Sequence, residues 1–170
     1  MMRIYLSKIL FIVGFLVLIG IVFISMSKSQ NMIVVTTGNF DKKPLEIKLG
    51  HFQDSDCGMV IHSLDYASEV VDKDGKTWFF HDHGGMVKWL ESKEFKDETT
   101  IWVWAKDAKK WIDGRKAWYS KTDTTPMRYG FGAYENKSDD FVSFDEMSLK
   151  MLRGENLTNP NVRKQLGVLN

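Results

Sequence analysis

The chain has a single cysteine, Cys57, two residues ahead of a methionine in the run Asp56-Cys57-Gly58-Met59. A thiolate and a thioether are soft donors, and soft donors select Cu(I) over hard cations. If residues 56–62 are extended, the side chains at 57 and 59 leave the same face. Gly58 between them adds no bulk. With one cysteine, a cysteine-rich zinc site is excluded. A third donor is needed to close a trigonal site, and the chain offers His51, His62, His81, His83, Met86 and Met127. In a straight strand His62 points away from Met59. His81 and His83 share a face at the end of a candidate strand, and Gly84-Gly85 behind them suits an accessible ligand. They rank first, then Met127, then Met86. Packing is the competing use, because cysteine is a common small core residue and methionine a gap filler. The polar Asp54, Ser55 and Asp56 just ahead of Cys57 argue for an accessible thiol instead.

The compartment sharpens the point. Arg3 and Lys8 precede an unbroken apolar run over residues 9–24, and residues 25–30 are polar and basic. This is the layout of a signal segment. Counted from 4 to 26 the run is about 23 residues, enough to cross a bilayer. We read residues 1–28 as an uncleaved signal anchor, with Ser25-Met26-Ser27 a weak alternative cleavage site. No cysteine closes the run, which excludes a bacterial lipid anchor. Positive charge ahead of the span keeps the N-terminus inside. The expectation is a single-pass inner-membrane protein with its C-terminal domain in the periplasm. Small domains outside the cytoplasm normally use cysteines in pairs. An accessible lone thiol in an oxidising compartment is a liability unless something uses it. Net charge is +1 with both signs interspersed, which excludes the basic stripe of a nucleic-acid binder.

The elements that must position these residues follow from patterning. Residues 33–35 and 45–49 look like short strands, the second with period-two alternation, and 41–44 like a turn. Residues 67–72 and 76–80 form a candidate hairpin around Asp74-Gly75. Apolar positions 86, 87, 89 and 90 suit a short helix over 86–92, and residues 100–104 are β-rich. In the second half, 116–120 is extended, Thr125-Pro126-Met127 stands where Cys57-Gly58-Met59 stood, and a helix over 146–153 closes on Gly154. The aromatic runs 101–104 and 111–119 suit core packing, with an interface as the other use. The parallel order of events reads as two ββαβ units, about 50–106 and 107–158, in an α+β fold. A lead-in segment, 29–49, precedes them, and a loosely held tail, 159–170, follows.

Asp56-Cys57-Gly58-Met59, then Gly75, Phe79-Phe80 and Asp82-His83-Gly84, resemble the NosL family. So do Thr125-Pro126-Met127-Arg128-Tyr129-Gly130, Gly132-Ala133 and Phe144-Asp145-Glu146 further on. The likeness covers about residues 50–154. It implies a pair of similar ββαβ units and a Cu(I) chaperone, not an enzyme. The implied task is delivering copper to periplasmic nitrous oxide reductase, with a membrane transporter complex as a source. Cys57 and Met59 match the family's copper pair, and the third ligand is implied to be a histidine. The family's members are typically lipoproteins, and this chain departs from them in relying on its apolar helix. Two other readings stand beside this one: a metal-free membrane-anchored interaction module, and an enzyme with Cys57 as nucleophile, which requires a base held against the thiol.

Overall fold

The computed structural model describes residues 2–26 and 32–168. The chain divides into two compact units, Met1–Asn31 and Met32–Asn170. The first holds helix α1 (Met2–Met26). Its window Lys8–Ser25 has a mean hydropathy of 2.7 and no buried residue, so the helix is long and apolar enough to cross a membrane. Residues 27–30 of the expected polar flank, and with them Ser27 of the weak cleavage motif, fall outside the described residues.

The second unit is mixed α+β, built on a five-stranded antiparallel sheet. Its strands are β1 (Val35–Thr36), β2 (Ser68–Val71), β3 (Thr77–Phe80), β4 (Thr100–Ala105) and β5 (Lys110–Asp113), in the order β1-β3-β2-β4-β5. The β2–β3 hairpin turns where Asp74-Gly75 predicts. Asp72 accepts from the amides of Asp74 and Lys76, and Gly75 takes φ +75, with the Asn39 backbone where a Cβ would stand. Helix α2 (His83–Glu91) carries the chain from β3 over to β4. It starts three residues before the first apolar position of the pattern because Asp82 caps it, accepting from the Gly84 amide.

Both faces of the sheet are covered. On one, Val70, Phe80, Ile101 and Val103 pack with Met86, Val87 and Leu90 of α2 and with Met147 and Met151 of α3 (Phe144–Leu152). On the other, Phe79 and Ala67 pack with Ile47, Phe52 and Ile61. The lead-in segment is therefore a layer of the fold. Ile33 bridges to Phe52, and β1 pairs with β3. Residues 45–49 do not form the expected strand: the Leu45 amide donates to the carboxylate of Glu69 on β2, not to a neighbouring strand.

The second half is sparser. The two-residue strands β6 (Trp118–Tyr119) and β7 (Ala133–Tyr134) pair with each other, and Tyr119 also bridges Val142. Helix α3 follows, capped by Ser143, with Gly154 at φ +72 just past its end. The order β2-β3-α2-β4 gives one ββαβ unit. The second half, from 107, supplies β5 to the five-stranded sheet and then β6, β7 and α3, and no strand follows α3 among the described residues, so the expected second ββαβ unit is not reproduced. The segment expected as a loose tail forms helix α4 (Pro160–Gln165), started by Asn159 as N-cap and Pro160 in the first turn.

Candidate metal centre

Cys57 sits on a turn, not a strand. The Asp54 amide donates to the Met59 carbonyl and the Gly58 amide to the Asp54 carbonyl, closing a loop on the Gln53–Val60 bridge. Inside it, Asp54 Oδ1 accepts from the amides of Asp56 and Cys57 at 2.8 and 3.1 Å. Gly58 takes φ +73, a left-handed conformation that favours glycine, so the same-face strand geometry expected for Cys57 and Met59 does not form. Both side chains are exposed, Met59 at 43%.

The turn is docked on the end of β3. Ser55 Oγ accepts from the Phe79 amide, and the Ser55 amide donates to the Phe79 carbonyl. Asp54 Oδ2 accepts from the His81 amide at 2.9 Å and pairs with His81 Nδ1 at 2.6 Å. Cys57 Sγ lies 3.9 Å from the same nitrogen. One donor atom each from Asp54, Cys57 and His81 thus falls within 4.8 Å of the others, a group able to hold a metal ion. Asp54 and His81 are buried beneath the exposed thiol, and His81 Nε2 is buried without a partner among the described residues.

The electrostatics move the carboxyl and the thiol in opposite directions. Burial by itself raises the Asp54 carboxyl, but hydrogen bonds from the His81 ring and amide and the amides of Cys57 and Asp56 outweigh it and hold Asp54 below its ordinary range. Burial pushes the Cys57 thiol up. The Met59 amide opposes this, while the charges of Asp54 and Asp56 add to it. A metal at Cys57 therefore displaces a thiol proton.

His83 is not at this centre. It opens α2, and the turn of the helix carries it into the core, fully buried between the rings of Tyr66 and Tyr119 with Nδ1 3.0 Å from Ser68 Oγ. Burial lowers its pKa to about 3. Met86 is fully buried on α2, packed in the main core. His51 is half-buried, and His62 is exposed on the far side of the Val60 bridge. Met127 is half-buried on a loop tied to the same turn as His81, since its amide donates to Asp82 Oδ2 at 2.9 Å. Asp82 thereby joins the start of α2 to the loop at 127: one oxygen caps the helix and the other holds the loop. Burial raises its carboxyl, opposed by the Thr125 hydroxyl and the amides of Met127 and Gly84.

Tyr129 seals this junction against Gly84. A Cβ at position 84 would stand 2.7 Å from the Tyr129 ring, whereas one at Gly85 meets nothing within 4 Å. Gly84→Ala is expected to destabilise the domain by about 1–3 kcal/mol through overpacking. Gly85→Ala is expected to stabilise it by about 0.5–1 kcal/mol through helix propensity. Chemical denaturation of the two variants checks the contrast. Equal changes would mean that Tyr129 does not rest on Gly84.

Asp54 is the member that the sequence reading missed. Its local signal is an aspartate opening a short polar run that ends on a glycine, a composition that favours an Asx turn to the amide two residues on, and its partner His81 is 27 residues away. No family model, curated protein or solved structure matches the chain.

Proposed function

We propose that this chain is a membrane-tethered carrier that takes Cu(I) as cargo at Cys57 and passes it to a copper enzyme outside the cytoplasm. The observation that carries the reading is an exposed thiol held over a buried imidazole, with an exposed thioether two residues on. Sulfur and imidazole donors suit Cu(I), and an accessible cysteine lets an incoming ligand share the metal before the carrier lets go. Cys57 is exposed, which is what transfer needs and what a structural metal site avoids. Met59 and Met127 are the candidate thioether ligands, Met59 because it leaves the same turn, Met127 because Asp82 ties its loop beside His81.

The resemblance to the NosL family extends the reading. It supplies nitrous oxide reductase as the client, a membrane transporter complex as the copper source, and a duplicated ββαβ ancestry in which the 125–127 loop is the counterpart of the 57–59 loop. The convergence of both loops on residues 81 and 82 supports that ancestry. Arg3 and Lys8, ahead of the apolar run within α1, support a periplasmic C-terminal unit. Catalysis by Cys57 fits less well: an activated nucleophile needs a lowered thiol pKa, and burial moves this one up.

Anaerobic titration of the full chain in detergent with Cu(I), against a chromophoric chelator, tests the proposal. One Cu(I) per chain is expected, and Zn(II) in excess is not expected to displace it. Failure to take copper from the chelator, or ready displacement by Zn(II), would sink the reading.

A further inference from the structure

Three backbone N–H groups and the His81 ring nitrogen Nδ1 converge on the Asp54 carboxylate. Oδ1 accepts from the Asp56 and Cys57 amides, and Oδ2 accepts from the His81 amide and faces His81 Nδ1 at 2.6 Å. Backbone amides can only donate, so three of the four lone-pair positions are taken by fixed N–H donors. Three such donors favour the ionised carboxylate, which can only accept, so the proton in the Oδ2–Nδ1 bond resides on Nδ1. A separation of 2.6 Å is also a hydrogen-bond distance: two ligands of one tetrahedral ion with bonds of about 2.0–2.2 Å stand roughly 3.3–3.6 Å apart. The other ring nitrogen, Nε2, is buried and without a partner among the described residues, in a side chain only 8% exposed.

We infer that Asp54 stays outside the metal's coordination sphere and sets which nitrogen of His81 is offered: it holds Nδ1–H, and the Nε2 lone pair is the ligand. Metal-bound histidines commonly carry such a carboxylate on the opposite nitrogen, which fixes the tautomer and raises the basicity of the ligating one. The inference rests on the copper reading of this centre and adds a source of selectivity to it. With Asp54 as a ligand, the set is thiolate, imidazole and carboxylate, which suits Zn(II). With Asp54 fully engaged by N–H donors, sulfur and imidazole remain, which suits Cu(I). Cys57 Sγ lies 3.9 Å from Nδ1, so sharing an ion with Nε2 requires the exposed side chain to turn. Asp54 is thus a positioning residue with two jobs, since its other oxygen shapes the turn that carries the thiol.

The test is imidazole ¹⁵N NMR on the full chain in micelles, labelled at histidine, before and after adding Ag(I) as a redox-inert stand-in for Cu(I). The metal-free protein is expected to show His81 protonated at Nδ1. Ag(I) is expected to move the Nε2 resonance and leave Nδ1 protonated. Asp54→Asn turns an NH₂ group toward His81, shifts the tautomer toward Nε2–H, and is expected to weaken Cu(I) binding about 10- to 100-fold. An Nε2–H tautomer in the wild-type metal-free protein overturns the inference and requires no variant to fold. So does movement of Nδ1 with Ag(I), no movement of either ring nitrogen, or an Asp54→Asn protein with wild-type tautomer and affinity. The copper reading itself fails on a different result, the absence of Cu(I) uptake by the wild-type chain.

Discussion

Replacing Cys57 with Ser is expected to abolish competitive Cu(I) binding while leaving the fold unchanged. The side chain is exposed on its turn and packs in neither hydrophobic cluster, so its loss creates no cavity. The contacts that shape the turn come from the backbone. A serine at 57 still donates its amide to Asp54 Oδ1, and Asp54 still holds His81. Only the soft donor disappears, replaced by a hydroxyl with little affinity for Cu(I). Thermal unfolding of Cys57→Ser should match wild type to within about 0.5 kcal/mol, the usual range for an exposed site. Chelator competition should show the copper gone. Met59→Ala provides a graded comparison: it removes a thioether from the same turn and should weaken binding without ending it. A serine variant that holds Cu(I) as tightly as wild type would place the donors elsewhere and remove Cys57 from the mechanism.

Local chemistry was legible in the chain and long-range pairing was not. Asp74-Gly75 announces its hairpin because the turn's requirements are met within five residues, by Asp72 and a left-handed glycine. The helix after Ser143 is legible for the same reason. In α2, by contrast, the apolar pattern starts the helix at Met86, behind Gly84-Gly85, yet Gly84 is inside the helix at a position where the Tyr129 ring leaves no room for a side chain. Starting the helix at His83 undoes the alternation that put His81 and His83 on one face, and it sends His83 into the core. Residues 45–49 alternate like a strand, but their hydrogen-bond partner is a buried carboxylate from β2. Cys57 and Met59 were found by type and spacing. Their geometry differs from a strand because Asp54 accepts from the amides of Asp56 and Cys57 and Gly58 turns left-handed, and spacing alone shows neither.

Glu69→Gln is expected to stabilise the domain at neutral and alkaline pH and to do nothing in acid. Glu69 lies in the middle of β2 with no exposed surface, under the covering segment, and its carboxyl contacts a single donor, the Leu45 amide. Burial raises its pKa from 4.5 to about 8, with the Leu45 hydrogen bond opposing only in part. The folded state therefore binds a proton that the unfolded chain gives up at lower pH. The stability linked to that proton is fully present below about pH 4.5 and is lost as pH rises through 8. At pH 7 the loss amounts to about 3 kcal/mol, an order-of-magnitude figure from the shift between those values. Glutamine keeps an oxygen for Leu45 and cannot ionise, so it retains the acid-form stability at every pH. Its amide hydrogens find no better partner than the acid proton did, so the two proteins should unfold together at pH 4. By pH 8 the variant should be ahead by a few kcal/mol in denaturant. The acidic end of the curve is the control, because a packing gain from glutamine would persist there. Parallel stability profiles for wild type and Glu69→Gln from pH 4 to 8 would mean that Glu69 is ionised in the folded protein at no cost. In that case the covering segment would be held to the sheet by a carboxylate and not by a buried acid.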